Sequence, residues 1–151
     1  MLDRNYAVAT LRRAMLALAL VAGAAACTAD STGPDPDDVV GTYEATRILA
    51  IIGEDTADAI ATGGFISLTL EEGGDTFGQL FIPDGISPGL DIDEDLTGTW
   101  DIENDAVWLT HDGADTFLQS LPFTVRSGGR LVADRTQQNG VRFVVHLERV
   151  D

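Results

Sequence analysis

The chain has 151 residues, with 25 Asp and Glu against 9 Arg and no Lys, for a formal charge of −16. A length of this order predicts one domain. So large an acid excess argues against nucleic-acid and anionic-lipid surfaces as partners, because both repel it.

In chain order, the first segment reads as a processing signal. Arg4, Arg12 and Arg13 precede an apolar run of 13 residues, Ala14 to Ala26. A helix that crosses the hydrocarbon of a bilayer needs about 20 apolar residues. The run therefore suits a signal h-region better than a span, with an uncleaved anchor helix as the alternative. Arg12-Arg13 lacks the flanking residues of a twin-arginine signal. The small residues Gly23-Ala24-Ala25-Ala26 end at Cys27, the only cysteine.

This junction resembles the lipobox of bacterial lipoproteins. The resemblance implies cleavage before Cys27 and diacylglycerol on its thiol. A plain secretory cut after Ala26 is the other reading, but it leaves a free thiol in an oxidising compartment. Residues 1–26 are thus expected to be a lipoprotein signal peptide. Thr28, which is not Asp, implies by the same resemblance the outer membrane rather than the inner one. Residues 27–38 are rich in Pro, Gly, Ser and Asp and have no apolar period, so they are expected to be the lipidated cysteine and a solvated tether. Beyond Ala26 the chain would carry 6 basic and 24 acidic residues.

Residues 39–151 should form the folded domain, and their dominant period is two. Ile66, Leu68 and Leu70 share one face of a predicted strand, as do Val141, Phe143, Val145 and Leu147 of another. Val107 aligns with Leu109, and Phe123 with Val125. Short runs rich in β-branched and aromatic residues fit a pleated, half-buried surface. Turn signals separate them: Glu72-Gly73-Gly74-Asp75, Glu103-Asn104-Asp105, Ser127-Gly128-Gly129 and Gln138-Asn139-Gly140 among others. Such sequences supply the positive φ of tight hairpins, so neighbouring strands should be antiparallel. Eight strands are predicted near 40–51, 64–71, 75–82, 96–103, 106–111, 117–126, 130–136 and 141–150. The links between them hold a predicted helical turn at Asp55–Ala61 and a predicted loop at Asp84–Asp95. Eight strands, each apolar on one face, hide that face by closing into an up-and-down barrel, with a two-sheet sandwich as the alternative.

Gly41-Thr42-Tyr43 opens the first strand and Gly98-Thr99-Trp100 the fourth. Val40-Gly41-Thr42-Tyr43-Glu44 resembles the G-x-W opening of the lipocalin superfamily, with Tyr in place of Trp. Gly98-Thr99-Trp100-Asp101-Ile102, followed by Val107-Trp108-Leu109, is similar to small lipocalin-like domains of bacterial lipoproteins. The resemblance runs from about Val39 to Val150 and implies an antiparallel barrel with an apolar cavity.

Side chains that could carry chemistry are few. Asp91-Ile92-Asp93-Glu94-Asp95 offers alternate carboxylates to Ca²⁺. The EF-hand spacing fails, however, because Leu96 stands at the sixth position and Ile102 at the twelfth. A solvated acidic loop is expected instead. His111 and His146, the only histidines, lack the spaced partners of a zinc site and are read as surface or turn residues. No serine lies in a G-x-S-x-G elbow, and no catalytic residue, metal or cofactor is assigned. The inward aromatic and aliphatic positions Tyr43, Leu68, Trp100, Phe123 and Phe143 are the expected lining of a ligand cavity, or else ordinary core. Trp108 should point outward, where an exposed Trp could anchor an envelope protein partner. The two functional expectations are therefore a membrane-anchored module that binds a small apolar or amphipathic ligand, and a non-catalytic envelope protein with a packed barrel that works through protein contacts. An interior volume above about 300 Å³ separates them.

Overall fold

The computed structural model describes residues 33–83, 91–111 and 117–151. The signal-peptide and lipid-attachment readings, including Cys27, lie outside these residues. The elements in chain order are α1 (Pro36–Val39), β1 (Gly41–Ile52), β2 (Asp55–Asp58), β3 (Phe65–Leu70), β4 (Asp75–Ile82), β5 (Ile92–Asp95), β6 (Gly98–Glu103), β7 (Ala106–His111), β8 (Thr124–Arg126), β9 (Arg130–Thr136) and β10 (Arg142–Arg149).

Eight strands form one antiparallel circuit in the order β7-β6-β4-β3-β1-β10-β9-β8. With β2 and β5 set aside, each strand pairs with its predecessor in the chain, and β10 returns to pair with β1. This is a nearly closed up-and-down barrel. The thinnest seam lies between β7 and β8, where the Val107–Phe123 bridge joins them through N–H···O bonds of 2.8 and 2.9 Å. Closure gives the strands one inner face to fill. Alternate positions fill it: Ile66, Leu68 and Leu70 from β3, Val107 and Leu109 from β7, and Val145 and Leu147 from β10 are all buried.

Hairpin chemistry sets the register. Glu103 and Ala106 pair across Asn104 and Asp105, both at positive φ (51° and 63°), as a two-residue type I′ turn requires. Gly98 is needed for another reason: a Cβ there would run into the Thr110 carbonyl and the His111 backbone on β7. The strands cannot lie this close with a side chain between them.

The sequence reading and the structure differ at four places. Pro36–Asp38, read as tether, belong to α1, a helical turn with Pro36 at its first position and Asp35 as N-cap, accepting from the Asp37 amide at 3.1 Å. Asp55–Asp58, read as helical, form a strand against the end of β1, and the helical turn comes later, at Ile60–Thr62. Ile92–Asp95, read as loop, pair with Gln79–Ile82 of β4. The strand expected over 117–126 shrinks to Thr124–Arg126, because Phe117–Ser120 form a 3₁₀ turn that buries Leu118.

Candidate functional site

The two ends of the barrel are built differently. α1 plugs one of them. Val39 is fully buried, and its carbonyl accepts from the Tyr43 hydroxyl at 2.6 Å. Arg149, at the end of β10, lays its guanidinium 5.6 Å from the centre of the Tyr43 ring. Its Nη2 donates to the Val40 carbonyl, to the Asp38 carbonyl at 3.2 Å and to the Tyr43 hydroxyl at 3.3 Å. Burial raises the Tyr43 pKa, and the adjacent Arg149 charge partly offsets the rise. Trp100 repeats the device on β6, where its indole N–H donates to the Glu71 carbonyl at 3.0 Å.

The opposite end is splayed. β1 pairs with β3 only over Gly41–Glu44, and from Leu49 to Ile52 it pairs with β2 instead. The gap between the diverging strands is spanned by the turn at Ala59–Gly64, held by Ala59 N–H to the Ile48 carbonyl (2.9 Å) and Gly64 N–H to the Ala59 carbonyl (2.7 Å). A cavity of about 340 Å³ remains there. Ile48, Ala50, Ala59, Ile82, Phe117 and Phe143 form its apolar wall. Phe117 stacks on Phe143 with centroids 4.8 Å apart and planes 16° apart, so the two rings make one flat side. The exposed Thr56, Asp58 and Thr62 form a polar rim. The Asp58 carboxylate accepts from the Ala61 amide at 3.2 Å, which fixes the rim's geometry.

Of the five expected lining residues, only Phe143 meets this cavity. Tyr43, Leu68 and Phe123 are completely buried in packed core. Trp100 lines a second, more open cleft of about 760 Å³ at the plugged end, beside Asp37, Glu72 and Asp101, whose wall is polar as much as apolar. The structure thus separates Phe143 from the other four. Much of the remaining lining was missed because it is made of small side chains, beside the larger Ile48, Leu49, Ile82 and Phe117. Ala50, Ala57, Ala59 and Ala61 enclose space by failing to fill it, and their recurrence in 50–61 was the available signal.

His111 is a correction. It continues the inward series of Val107 and Leu109 and is only 5% exposed, not a surface residue. Among the described residues neither ring nitrogen meets a hydrogen-bond partner. Burial lowers its pKa, which keeps it neutral. Trp108 does point outward but is half-covered. Its N–H donates to the Glu103 carbonyl at 3.3 Å, and the Arg135 guanidinium lies 5.9 Å from its ring centre. In the acidic stretch, Asp93 accepts from the Gln79 amide at 2.9 Å and Asp95 from the Thr97 amide at 2.7 Å. The hydrogen bonds from Thr97 lower the Asp95 pKa. Among the described residues no three His, Cys, Asp or Glu are grouped as metal ligands, and no helix is long and apolar enough to cross a membrane.

No protein-family model, curated protein or solved structure matches this chain.

Proposed function

We propose that this chain is a non-catalytic envelope lipoprotein, anchored through Cys27 to the outer membrane, whose barrel holds a small apolar or amphipathic ligand in the splayed end. The observation that carries the ligand reading is the cavity of about 340 Å³ with its wall of aliphatic side chains and stacked phenyl rings. Well-packed interiors leave few voids larger than a water molecule, and ligand cavities begin at about 300 Å³. The plug at the other end supports the same reading, since it leaves the splayed end as the open one, and the lipocalin-like resemblance implies a barrel with an apolar cavity. The anchor rests on the sequence alone, on the h-region and the small residues that run into Cys27.

Native mass spectrometry of the chain purified from a membrane-containing host tests the ligand. A stoichiometric extra mass lost on denaturation is expected, whereas a bare polypeptide from every host tried counts against it. Labelling with radioactive palmitate tests the anchor. Incorporation should occur in the wild type and vanish in Cys27→Ser.

The alternative, function through protein contacts, draws on the outer face of β3 and β4. Phe65 and Phe77 are 41% and 44% exposed there, and Phe65 packs against Phe81 at 5.9 Å between ring centres. Co-purification with an envelope protein that is lost in Phe65→Ser and Phe77→Ser would favour it.

A further inference from the structure

The rim of the cavity carries charge of one sign. Among the lining side chains the only acidic or basic one is Asp58. The hairpin that joins β1 to β2 adds Glu54 and Asp55, both exposed. No arginine lines the cavity. By register the nearest cations are Arg135, opposite the lining Phe143 in the β9–β10 ladder, and Arg142, opposite Ile51 in the β1–β10 ladder. Arg135 donates to the Ser120 carbonyl at 2.8 Å and lies against the Trp108 ring. Arg142 is already committed to Asp134, with bonds of 2.7 and 2.5 Å on both carboxylate oxygens.

An anionic amphiphile in this cavity would meet two penalties. Its carboxylate would sit at the solvated rim beside the like charge of Asp58 with no cation among the lining residues, and it would approach against the field of a chain whose net charge is −16. A protonated amine meets the reverse situation. Its alkyl body takes the apolar wall while its head stays at the mouth, within reach of Asp58 and still partly solvated.

We infer that the cavity selects a cationic amphiphile, an apolar body bearing a protonated amine, over a fatty-acid-type anion of the same body. This rests on the ligand-binding reading above. The Thr56 and Thr62 hydroxyls give the head further acceptor oxygens, although the Thr62 hydrogen is spent on the Ala59 carbonyl at 3.0 Å. The discrimination is electrostatic and sits at the surface. It should therefore be modest and sensitive to salt.

The test is calorimetric titration of the full chain at neutral pH with decylamine, decanol and decanoate, which share one alkyl body. Decylamine should bind most tightly and decanoate least, the two differing by roughly tenfold at low salt, as one partly screened attraction and its matching repulsion allow. Salt should narrow the gap. Asp58→Asn keeps an acceptor for the Ala61 amide, so the rim stays folded, and it should narrow the gap in the same way. Decanoate binding as tightly as decylamine, or a gap untouched by both salt and Asp58→Asn, overturns the selectivity while leaving the ligand site intact. Binding by none of the three overturns the ligand site and the selectivity together.

Discussion

Replacing Tyr43 by Phe isolates one hydroxyl at the plugged end. The ring stays, so the packing of a fully buried side chain is unchanged. What is lost is the 2.6 Å bond to the Val39 carbonyl and the acceptor that Arg149 Nη2 meets at 3.3 Å. An intramolecular hydrogen bond contributes about 1 kcal/mol net, and a buried carbonyl left without its donor can raise the cost to about 3 kcal/mol. The expected loss is therefore about 1–3 kcal/mol. For a domain of this size it lowers the Tm by roughly 4–12 °C. The bond ties α1 to β1, so the loss should be local first. The Val40 amide, which donates to the Pro36 carbonyl at 3.1 Å, should lose exchange protection before the barrel strands do. Urea unfolding and amide exchange read both quantities. A Tyr43→Phe variant within about 0.5 kcal/mol of wild type, with Val40 equally protected, would refute the idea that this hydroxyl fastens the plug.

Gly98→Ala should destabilise by about 1–3 kcal/mol in urea, because its Cβ meets fixed backbone of β7 rather than a movable side chain. The pH dependence of stability should carry a His111 component. Its folded pKa lies below the ordinary value near 6.5, so the stability it contributes is present above that pH and is lost as pH falls through the folded pKa. His111→Leu should thus flatten the decline in urea midpoint between pH 7.5 and 5.5. His146, whose pKa burial and the Arg47 and Arg130 charges also lower, supplies the slope that remains. Arg142→Ala should leave the thermal midpoint close to that of wild type, since both partners of its ion pair with Asp134 are about half exposed and screened by solvent.

The wall of the barrel was legible in the sequence because its strands are half-buried. Burial on one face imposes the period of two on β3, β7 and β10, and glycine and asparagine mark the turns between them. β2 and β5 left no such mark. All four residues of β2 are exposed, so nothing selects alternate apolar side chains, and Asp55-Thr56 reads locally as a helix cap. These two strands pair where β1 runs past β3 and β4 runs past β6, β2 folding straight back on β1 as a hairpin. Around Leu118 and Leu121 the buried residues are three apart, the spacing of a 3₁₀ turn, yet short apolar runs fit either assignment. The cavity was the least legible feature. Inward position could be read from the alternation, and Tyr43, Leu68 and Phe123 are indeed inside, but whether an inward side chain meets core or space depends on where the strands part. They part where β1 changes partner from β3 to β2, among alanines that carry no individual signal.

The most direct measurement of the binding reading is a titration of an apolar fluorescent probe, 1-anilinonaphthalene-8-sulfonate being avoided for its charge and N-phenyl-1-naphthylamine used instead, into wild type and Ala50→Phe. Ala50 lines the cavity and lies in register between Ala57 and Phe143, so the new ring enters the empty space. Saturable binding of one probe per chain in wild type, lost in an Ala50→Phe protein whose Tm is unchanged or raised, is the result predicted here. Binding that is absent in wild type, or equal in the two proteins, would contradict a ligand cavity at the splayed end.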